Sequence, residues 1–299
     1  MAIDWLDGAK AGAARPAERF RQLLETKGVA AVGAHDGMSA VLAKDAGFEA
    51  LYLSGAALSA SMALPDLGLL TLEDVGRRAR EIVRASGLPL IVDCDTGFGE
   101  ALNVMRMVRE MEEAGVACVQ IEDQLLPKKC GHLNDKKLAN IEDMVAKVVA
   151  ARKAASNLVI CARTDAAAVS LDEAIARAKA YEKAGAELIF VEALTSADAI
   201  AKVRAEIKAP LLANMTEFGR TPQIPLSGWA KHGYEIVIYP VSSFRVSSKA
   251  IKGFYGSLKQ RGDASDYLPQ MMTRAELYDT IHYFDYEALD SSIAATKLP

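Results

Sequence analysis

The chain is 299 residues long, 51% hydrophobic, 25% charged and only 6% aromatic, which supplies ample apolar side chain for a core and excludes a disordered chain or a mini-protein. Lys plus Arg total 35 against 39 for Asp plus Glu, a formal charge of −4 with no basic block, so neither nucleic acid nor an anionic membrane finds an electrostatic footprint. No apolar run approaches the roughly 18 residues of a membrane span, Met1–Trp5 does not open a signal peptide, and four Cys occur without a CxxC pair; these predict a cytoplasmic protein with free thiols.

In chain order, residues 17–25 predict an N-terminal helix and Gly28–Val32 a first strand. A recurrent pattern of Gly, spacer and short apolar run follows. It occurs at Gly47 before Ala50–Leu53, Gly115 before Cys118–Ile121, Gly185 before Leu188–Val191 and Gly233 before Ile236–Tyr239. A Gly after a helical stretch reads as a left-handed C-terminal cap, and the continuous run after it as a parallel strand covered on both faces. Pro89–Val92, Leu158–Cys161 and Pro210–Ala213 complete eight strands. Between strands, 72–85, 102–113, 141–155 and 171–183 carry amphipathic helical patterns.

Strand and helix alternate, which implies right-handed βαβ units and a parallel sheet. Gly47, Gly115 and Gly185 lie 68 and 70 residues apart, so about 34 residues make one βα unit and eight units reach from residue 28 to about 260. The expected architecture is α/β, a closed (β/α)8 TIM-type barrel, with an open doubly wound sheet as the alternative. Beyond it, Thr273-Arg274-Ala275-Glu276 is a capping-box start for a helix carrying Leu277, Tyr278, Ile281, Tyr283, Phe284 and Tyr286. Such a helix packs on its own barrel or on another subunit, and the sequence leaves both open. One barrel domain over 1–299 is expected, with residues 270–299 as a C-terminal helical extension.

The C-terminal strand ends of such a barrel hold its active site. Here they read Tyr52-Leu53-Ser54-Gly55, Asp93-Cys94-Asp95, Glu122-Asp123, Arg163-Thr164-Asp165, Glu192, Asn214-Met215-Thr216, and Tyr239 with Ser243 and Arg245 beyond. Charged residues are rarely buried unpaired, so this many on one rim imply a functional pocket. Asp93 and Asp95 share one face of a strand. With Glu122 they form an oxygen-only set suited to Mg²⁺, whereas the four His (35, 132, 232, 282) show no zinc spacing. Pairing of these carboxylates with backbone or Arg163 alone is the competing structural reading. Arg163 and Arg245 suit carboxylates through bidentate guanidinium contacts, and Ser54, Asn214, Thr216 and the backbone at Gly55 add neutral donors. The pocket reads as a site for a small polyanionic acid.

The segment from Asp123 to Lys137 is about 15 residues where βα loops run two to six, and long Gly- and Lys-bearing loops often act as lids. Cys130 stands among Lys128, Lys129 and His132, which predicts a lowered thiol pKa and a mobile proton. Cys94, Cys118 and Cys161 lie in or at the ends of strands and read as small core residues.

Glu122-Asp123-Gln124 followed by Lys128-Lys129-Cys130-Gly131-His132 resembles the signature of the isocitrate lyase/phosphoenolpyruvate mutase superfamily. Leu53-Ser54-Gly55, Leu64–Gly68, Val92–Gly99, Ala162–Ala166, Ala213–Gly219, Tyr239–Arg245 and Thr273–Tyr278 extend the resemblance over almost the whole chain. Within the superfamily the chain is most similar to the methylisocitrate lyase family. The resemblance implies a Mg²⁺-dependent carbon–carbon lyase of propionate catabolism, a homotetramer with its C-terminal helix exchanged between subunits. It would set Ser54, Gly55 and Ala56 along the substrate, Asp93 and Asp95 on Mg²⁺, and Cys130 and Gly131 on a lid. Arg163, Glu192, Asn214, Thr216, Arg245 and Arg274 would grip the substrate's carboxylates and hydroxyl. Ala56 stands where the family usually has Gly, Gln120 where it has His, Phe190-Val191-Glu192 lacks a Pro, and Leu133-Asn134-Asp135-Lys136 follows the Cys-Gly-His as in isocitrate and dimethylmalate lyases. These departures bear on the substrate, not on the reaction class.

The expected reaction is retro-aldol cleavage of a 2-hydroxy di- or tricarboxylate: 2-methylisocitrate to pyruvate and succinate, or alternatively 2,3-dimethylmalate, another 2-hydroxydicarboxylate or oxaloacetate. Bond breaking leaves a carbanion beside a carboxylate, whose charge must be met by waiting cations; Lys128, His132, Arg163 and Arg245 are candidates. Tyr52 or a Mg²⁺-bound hydroxide takes the hydroxyl proton, a choice the sequence leaves open, and Cys130 protonates the carbanion. A phosphonate mutase or 2-oxoacid decarboxylase and a non-catalytic binding protein are the other readings; the Lys-Lys-Cys-Gly-His loop argues against the first two, and the complete set of ionisable strand ends against the third.

Overall fold

Short apolar runs, six of them behind left-handed glycines, form eight strands: β1 (Val29–Gly33), β2 (Ala50–Leu53), β3 (Leu90–Asp93), β4 (Cys118–Glu122), β5 (Val159–Thr164), β6 (Leu188–Val191), β7 (Leu211–Asn214) and β8 (Ile236–Tyr239). In this computed structural model, which describes Leu6 and residues 15–131 and 135–294, every neighbouring pair is parallel and β8 pairs back onto β1, closing the barrel. The closed (β/α)8 barrel expected from the sequence is therefore the fold, and the open sheet is excluded. Gly47, Gly115, Gly185 and Gly233 all have positive φ, between 81° and 109°, where a Cβ would be strained.

Helices precede or follow each strand: α1 (Pro16–Leu24), α2 (Gly37–Asp45), α3 (Gly55–Ser61), α4 (Leu72–Ser86), α5 (Ala101–Glu113), α6 (Ile141–Ala154), α7 (Leu171–Ala184), α8 (Ala197–Glu206) and α9 (Leu226–Lys231). The bounds of α1 and α4 to α7 fall within a residue of the sequence periodicity. Capping explains their sharp starts: in α4 the Thr71 side chain accepts the Asp74 N–H while Asp74 accepts the Thr71 N–H. The short α3 and a 3₁₀ turn at Ala166–Ala168 carry too few residues for a periodic signal.

Two apolar layers result from the period of two along each strand. Ala50 and Tyr52 face inward with Ile91, Cys118, Val159, Cys161, Leu188, Phe190, Leu212, Ile236 and Ile238, and Phe20 of α1 joins this interior cluster. Leu51, Leu53, Val92, Val119 and Ile160 face outward against Val75, Ile82, Met107 and Val148 of the helices.

The chain divides into two compact units, Ala14–Phe244 and a second built on Arg245–Pro299; the second begins at Arg245, well before residue 270. It contains most of α10 (Ser242–Arg261), a 3₁₀ segment (Ser265–Gln270), α11 (Arg274–Thr280) and α12 (Tyr283–Ala294). The Thr273 capping box starts α11 as its sequence predicts. None of α10, α11 or the 3₁₀ segment buries a residue, and Tyr278 and Tyr283 stack at 4.4 Å.

Candidate active site

The inward positions of each strand turn from apolar to ionised over one step. On β3 the series is Ile91, Asp93; on β4 Cys118, Gln120, Glu122; on β5 Cys161, Arg163; β6 ends in Glu192 after Phe190. Register aligns Asp93 with Gln120, Glu122 with Arg163, and Arg163 with Phe190, so the ionised residues are staggered along four neighbouring strands, with Glu122 and Arg163 directly paired. Arg163 also lies over the Phe190 ring, 5.2 Å from its centroid, a cation–π contact at the floor of this layer.

Asp93 is fixed by three donors: the Gly55 N–H at 3.2 Å, the Asp95 N–H at 3.3 Å and Gln120 Nε2 at 3.3 Å. Gln120 in turn accepts from the Tyr52 hydroxyl at 3.1 Å. Burial, then the charge of Asp93, pushes the Tyr52 phenol well above its usual range, so at rest it is a hydrogen-bond donor and not a phenolate base. Asp95 adopts a left-handed φ of 47°, a strained setting typical of functional positions, and turns its carboxylate beside that of Asp93. A methyl on Gly55 would meet both, at 3.2 and 3.3 Å. Burial and Asp93 push Asp95 up to about 6, opposed by Lys128.

These residues fit one divalent cation. Five buried carboxylates, those of Asp93, Asp95, Glu122, Asp165 and Glu192, gather with three cations, Lys128, Arg163 and the buried ammonium of Lys136, so acidic groups outnumber basic ones. Mg²⁺ needs only one or two protein carboxylates, the remaining ligands being water and substrate. Among the described residues no three His, Cys, Asp or Glu side chains gather as a ready-made metal cluster, so Asp93, Asp95 and Glu122 do not converge on one point. Glu122 is turned to Arg163 Nη1 at 3.3 Å, leaving the Asp93/Asp95 pair, and its buried Oε1 has no hydrogen-bond partner.

Arg163 is the centre of the remaining charges. Its Nε and Nη2 clasp Asp165 at 2.9 and 3.1 Å, and Nη2 lies 3.4 Å from Glu192. Burial disfavours both ions, but mutual pairing outweighs it: Asp165 stays below its usual range and Arg163 well above. An Arg expected to grip substrate is thus first an organiser of three protein carboxylates. Asn214 donates to Glu192 at 3.2 Å and accepts the Thr216 N–H at 2.9 Å. Ala193, just after Glu192, has φ 60°, a second strained position on the rim. Ser54 caps α3 by accepting the Ala57 N–H at 3.3 Å, and Ala56 is half-buried beside it.

The loop after β4 is tied at its stem, where Leu125 N–H donates to the Lys137 carbonyl and Ala139 N–H to the Asp123 carbonyl, each at 2.8 Å. The Gln124 amide then both donates to and accepts from Lys129 backbone. Lys128 is not a solvated lid lysine. It is 3% exposed and pairs with Asp66 at 2.5 Å and Asp95 at 2.6 Å, and despite burial these carboxylates hold its ammonium above the usual range. Cys130 is half-buried, and Gly131 next to it is pressed against Arg163 and Glu192. His132 lies outside the described residues. Arg245 and Arg274 belong to the second unit, Arg274 as the first residue of α11.

Sequence reasoning placed Asp165 at a strand end without its partners, and gave no role to Lys136, Asp66 or Gln120. The even spacing Cys118, Gln120, Glu122 could have revealed Gln120 as inward-facing; nothing local marks Asp66 or Lys136. Alongside the site, a cleft of about 380 Å³ is lined by Leu70, Asp95, Thr96, Phe98, Arg106 and Leu126, among others.

A parallel barrel whose mouth pairs two adjacent aspartates with a Cys-Gly loop defines a barrel enzyme class for small oxo and hydroxy acids, and the chain belongs to the phosphoenolpyruvate phosphomutase family, whose profile matches residues 20–258. It is 50% identical to 2-methylisocitrate lyase of Bacillus subtilis (strain 168) over 99% of both chains. The crystal structure of a 2,3-dimethylmalate lyase superposes with a TM-score of 0.88 at 33% identity, covering 94% of this chain and 96% of that one. Phosphonopyruvate hydrolase solved with oxalate and Mg²⁺ superposes at 0.84 with 28% identity, covering 95% and 100%.

Proposed function

We propose that this chain is a Mg²⁺-dependent carbon–carbon lyase that cleaves 2-methylisocitrate to pyruvate and succinate, the activity for which its 50%-identical relative is named. The observation that carries the reading is the packing of Gly131 on Arg163 and Glu192, which sets the adjoining Cys130 at the rim that holds the carboxylate pair. Asp93 and Asp95 are the residues to hold Mg²⁺, which when bound supplies positive charge against the hydroxyl and carboxylate of the pyruvate half.

The carbon–carbon bond breaks with its electron pair left on the succinate carbon, and the hydroxyl oxygen becomes the pyruvate carbonyl as its proton passes to a water that carries it to solvent. Cys130 delivers the Sγ proton to that carbon and recovers one from solvent after product release, so protons balance. Arg163 and His132 meet the charge spread into the neighbouring carboxylate. Tyr52, its proton committed to Gln120, offers an oxygen lone pair to the substrate hydroxyl. Lys128 secures Asp95 and the loop. Ser54, Gly55, Ala56, Gly131, Glu192, Asn214 and Thr216 line the substrate, and the family resemblance adds Arg245 and Arg274 as carboxylate grips. Closure of the loop excludes water from the carbanion.

A homotetramer with an exchanged C-terminal helix accords with Leu268, Phe284 and Ile293, each more than 60% exposed in one chain. Four free thiols and the absence, among the described residues, of a helix able to cross a membrane suit a cytoplasmic site and a role in propionate catabolism. The test is oxo-acid release from 2-methylisocitrate, isocitrate, 2,3-dimethylmalate, oxaloacetate and phosphonopyruvate in parallel, with and without Mg²⁺. Fastest turnover of 2-methylisocitrate that stops on chelation supports the reading; preference for 2,3-dimethylmalate moves the substrate assignment, and turnover of phosphonopyruvate alone overturns the lyase.

A further inference from the structure

Lys136 lies in a surface loop, where a lysine by default extends into water, yet its side chain is 4% exposed. Burying an ammonium costs several kcal/mol unless it is paired, so the position must be held by what it contacts. Its Nζ donates to Asp165 Oδ1 at 2.9 Å and to the Gly131 carbonyl. The same Asp165 carboxylate is clasped by Arg163, and its backbone N–H donates to Asp123 at 3.0 Å, at the root of the loop. One ammonium therefore joins the Gly131 carbonyl, next to Cys130, to the carboxylate that holds the Arg163 guanidinium.

We infer that Lys136 is a positioning residue, a bolt that holds the Cys130–Gly131 segment onto the Arg163–Asp165 pair and so places the thiol. The inference rests on the reading of Cys130 as proton donor, but it can be tested without turnover. Replacing Lys136 leaves Asp165 with its bidentate Arg163 partner and the Gly131 carbonyl free to take water, so the barrel has no reason to unfold.

The experiment compares wild type, Lys136→Met and Lys136→Arg by the rate of Cys130 alkylation with iodoacetamide, by melting temperature, and by kcat and KM for 2-methylisocitrate. Cys94, Cys118 and Cys161 are buried, so early alkylation reports Cys130, as Cys130→Ser confirms by losing the signal. Lys136→Met is expected to alkylate about tenfold faster, the factor for loss of one charge-assisted hydrogen bond. Its kcat falls more than its KM rises, its melting temperature stays close to wild type, and Lys136→Arg recovers part of both rates. Equal alkylation rates in wild type and Lys136→Met overturn the inference, as does faster alkylation accompanied by general loss of thermal stability. If wild type releases no oxo acid, the lyase reading fails while the alkylation comparison still decides the role of Lys136.

Discussion

The α-carbon of Gly131 faces Arg163 so closely that a methyl group on it would lie 2.4 Å from Nη2 and 2.5 Å from Cγ of Glu192. Both neighbours are held in buried ion pairs and have little room to yield. Gly131→Ala therefore pushes the loop off the barrel mouth. A displacement of about 1 Å costs on the order of 10²-fold in rate, and that loss is expected in kcat/KM. Thermal unfolding should be almost unchanged, because the loop contributes little to the core. Steady-state kinetics beside a melting curve checks it.

Cys130→Ser keeps the shape of the loop but replaces an acidic thiol with a hydroxyl that holds its proton. Binding of substrate, read by calorimetry, should persist. Turnover should fall by about 10² to 10⁴, the usual contribution of a positioned proton donor. Near-normal oxo-acid release would remove Cys130 from the proton transfer.

Phe20, fully buried, fills the interior cluster from α1 against strand residues such as Ala31, Ala50 and Ile91. Truncating such a ring leaves a cavity, and Phe→Ala changes cost about 3–5 kcal/mol. Phe20→Ala should lower the urea midpoint by that equivalent while leaving KM close to wild type, since the residue lies at the end of the chain of contacts remote from the ionised layer. A midpoint within error of wild type would contradict the packing.

Glu112 on α5 accepts the backbone N–H groups of Ser156, Asn157 and Leu158 and pairs with Arg109. Burial pushes its carboxyl up, but these donors outweigh it and hold it below the usual range. A lowered folded pKa means the stabilisation is present above the unfolded value of about 4.3 and is lost as pH falls through the folded value. Glu112→Gln should therefore be destabilised by about 1–2 kcal/mol at pH 7, with the gap closing below pH 4. Urea titrations at pH 7 and pH 3.5 read the difference; a gap that widens in acid contradicts the assignment.

Much of this molecule was legible in one dimension. The Gly-led repeat and the apolar runs between its copies specified eight βα units because a left-handed cap and a covered strand leave strong local marks, whereas Asp95 lies beyond the end of β3 with φ 47°, so the backbone turn and not a strand period brings it beside Asp93. The C-terminal tail was legible as a capped helix, and the Thr273 capping box opens α11. The partner of Glu122 was not legible: it shares the inward face with the aspartates, and register sets it opposite Arg163.

The sequence alone determined the barrel, the acidic rim and the presence of a Cys-Gly loop, because each depends on spacings of two to about seventy residues in a regular backbone. Only the tertiary structure decided which charge meets which. Lys128 with Asp66 and Asp95, Lys136 with Asp165, and Gln120 between Tyr52 and Asp93 are pairings across separate loops and strands. Their partners are selected by barrel closure and by the cost of burying an unpaired ion, and neither is written in local sequence.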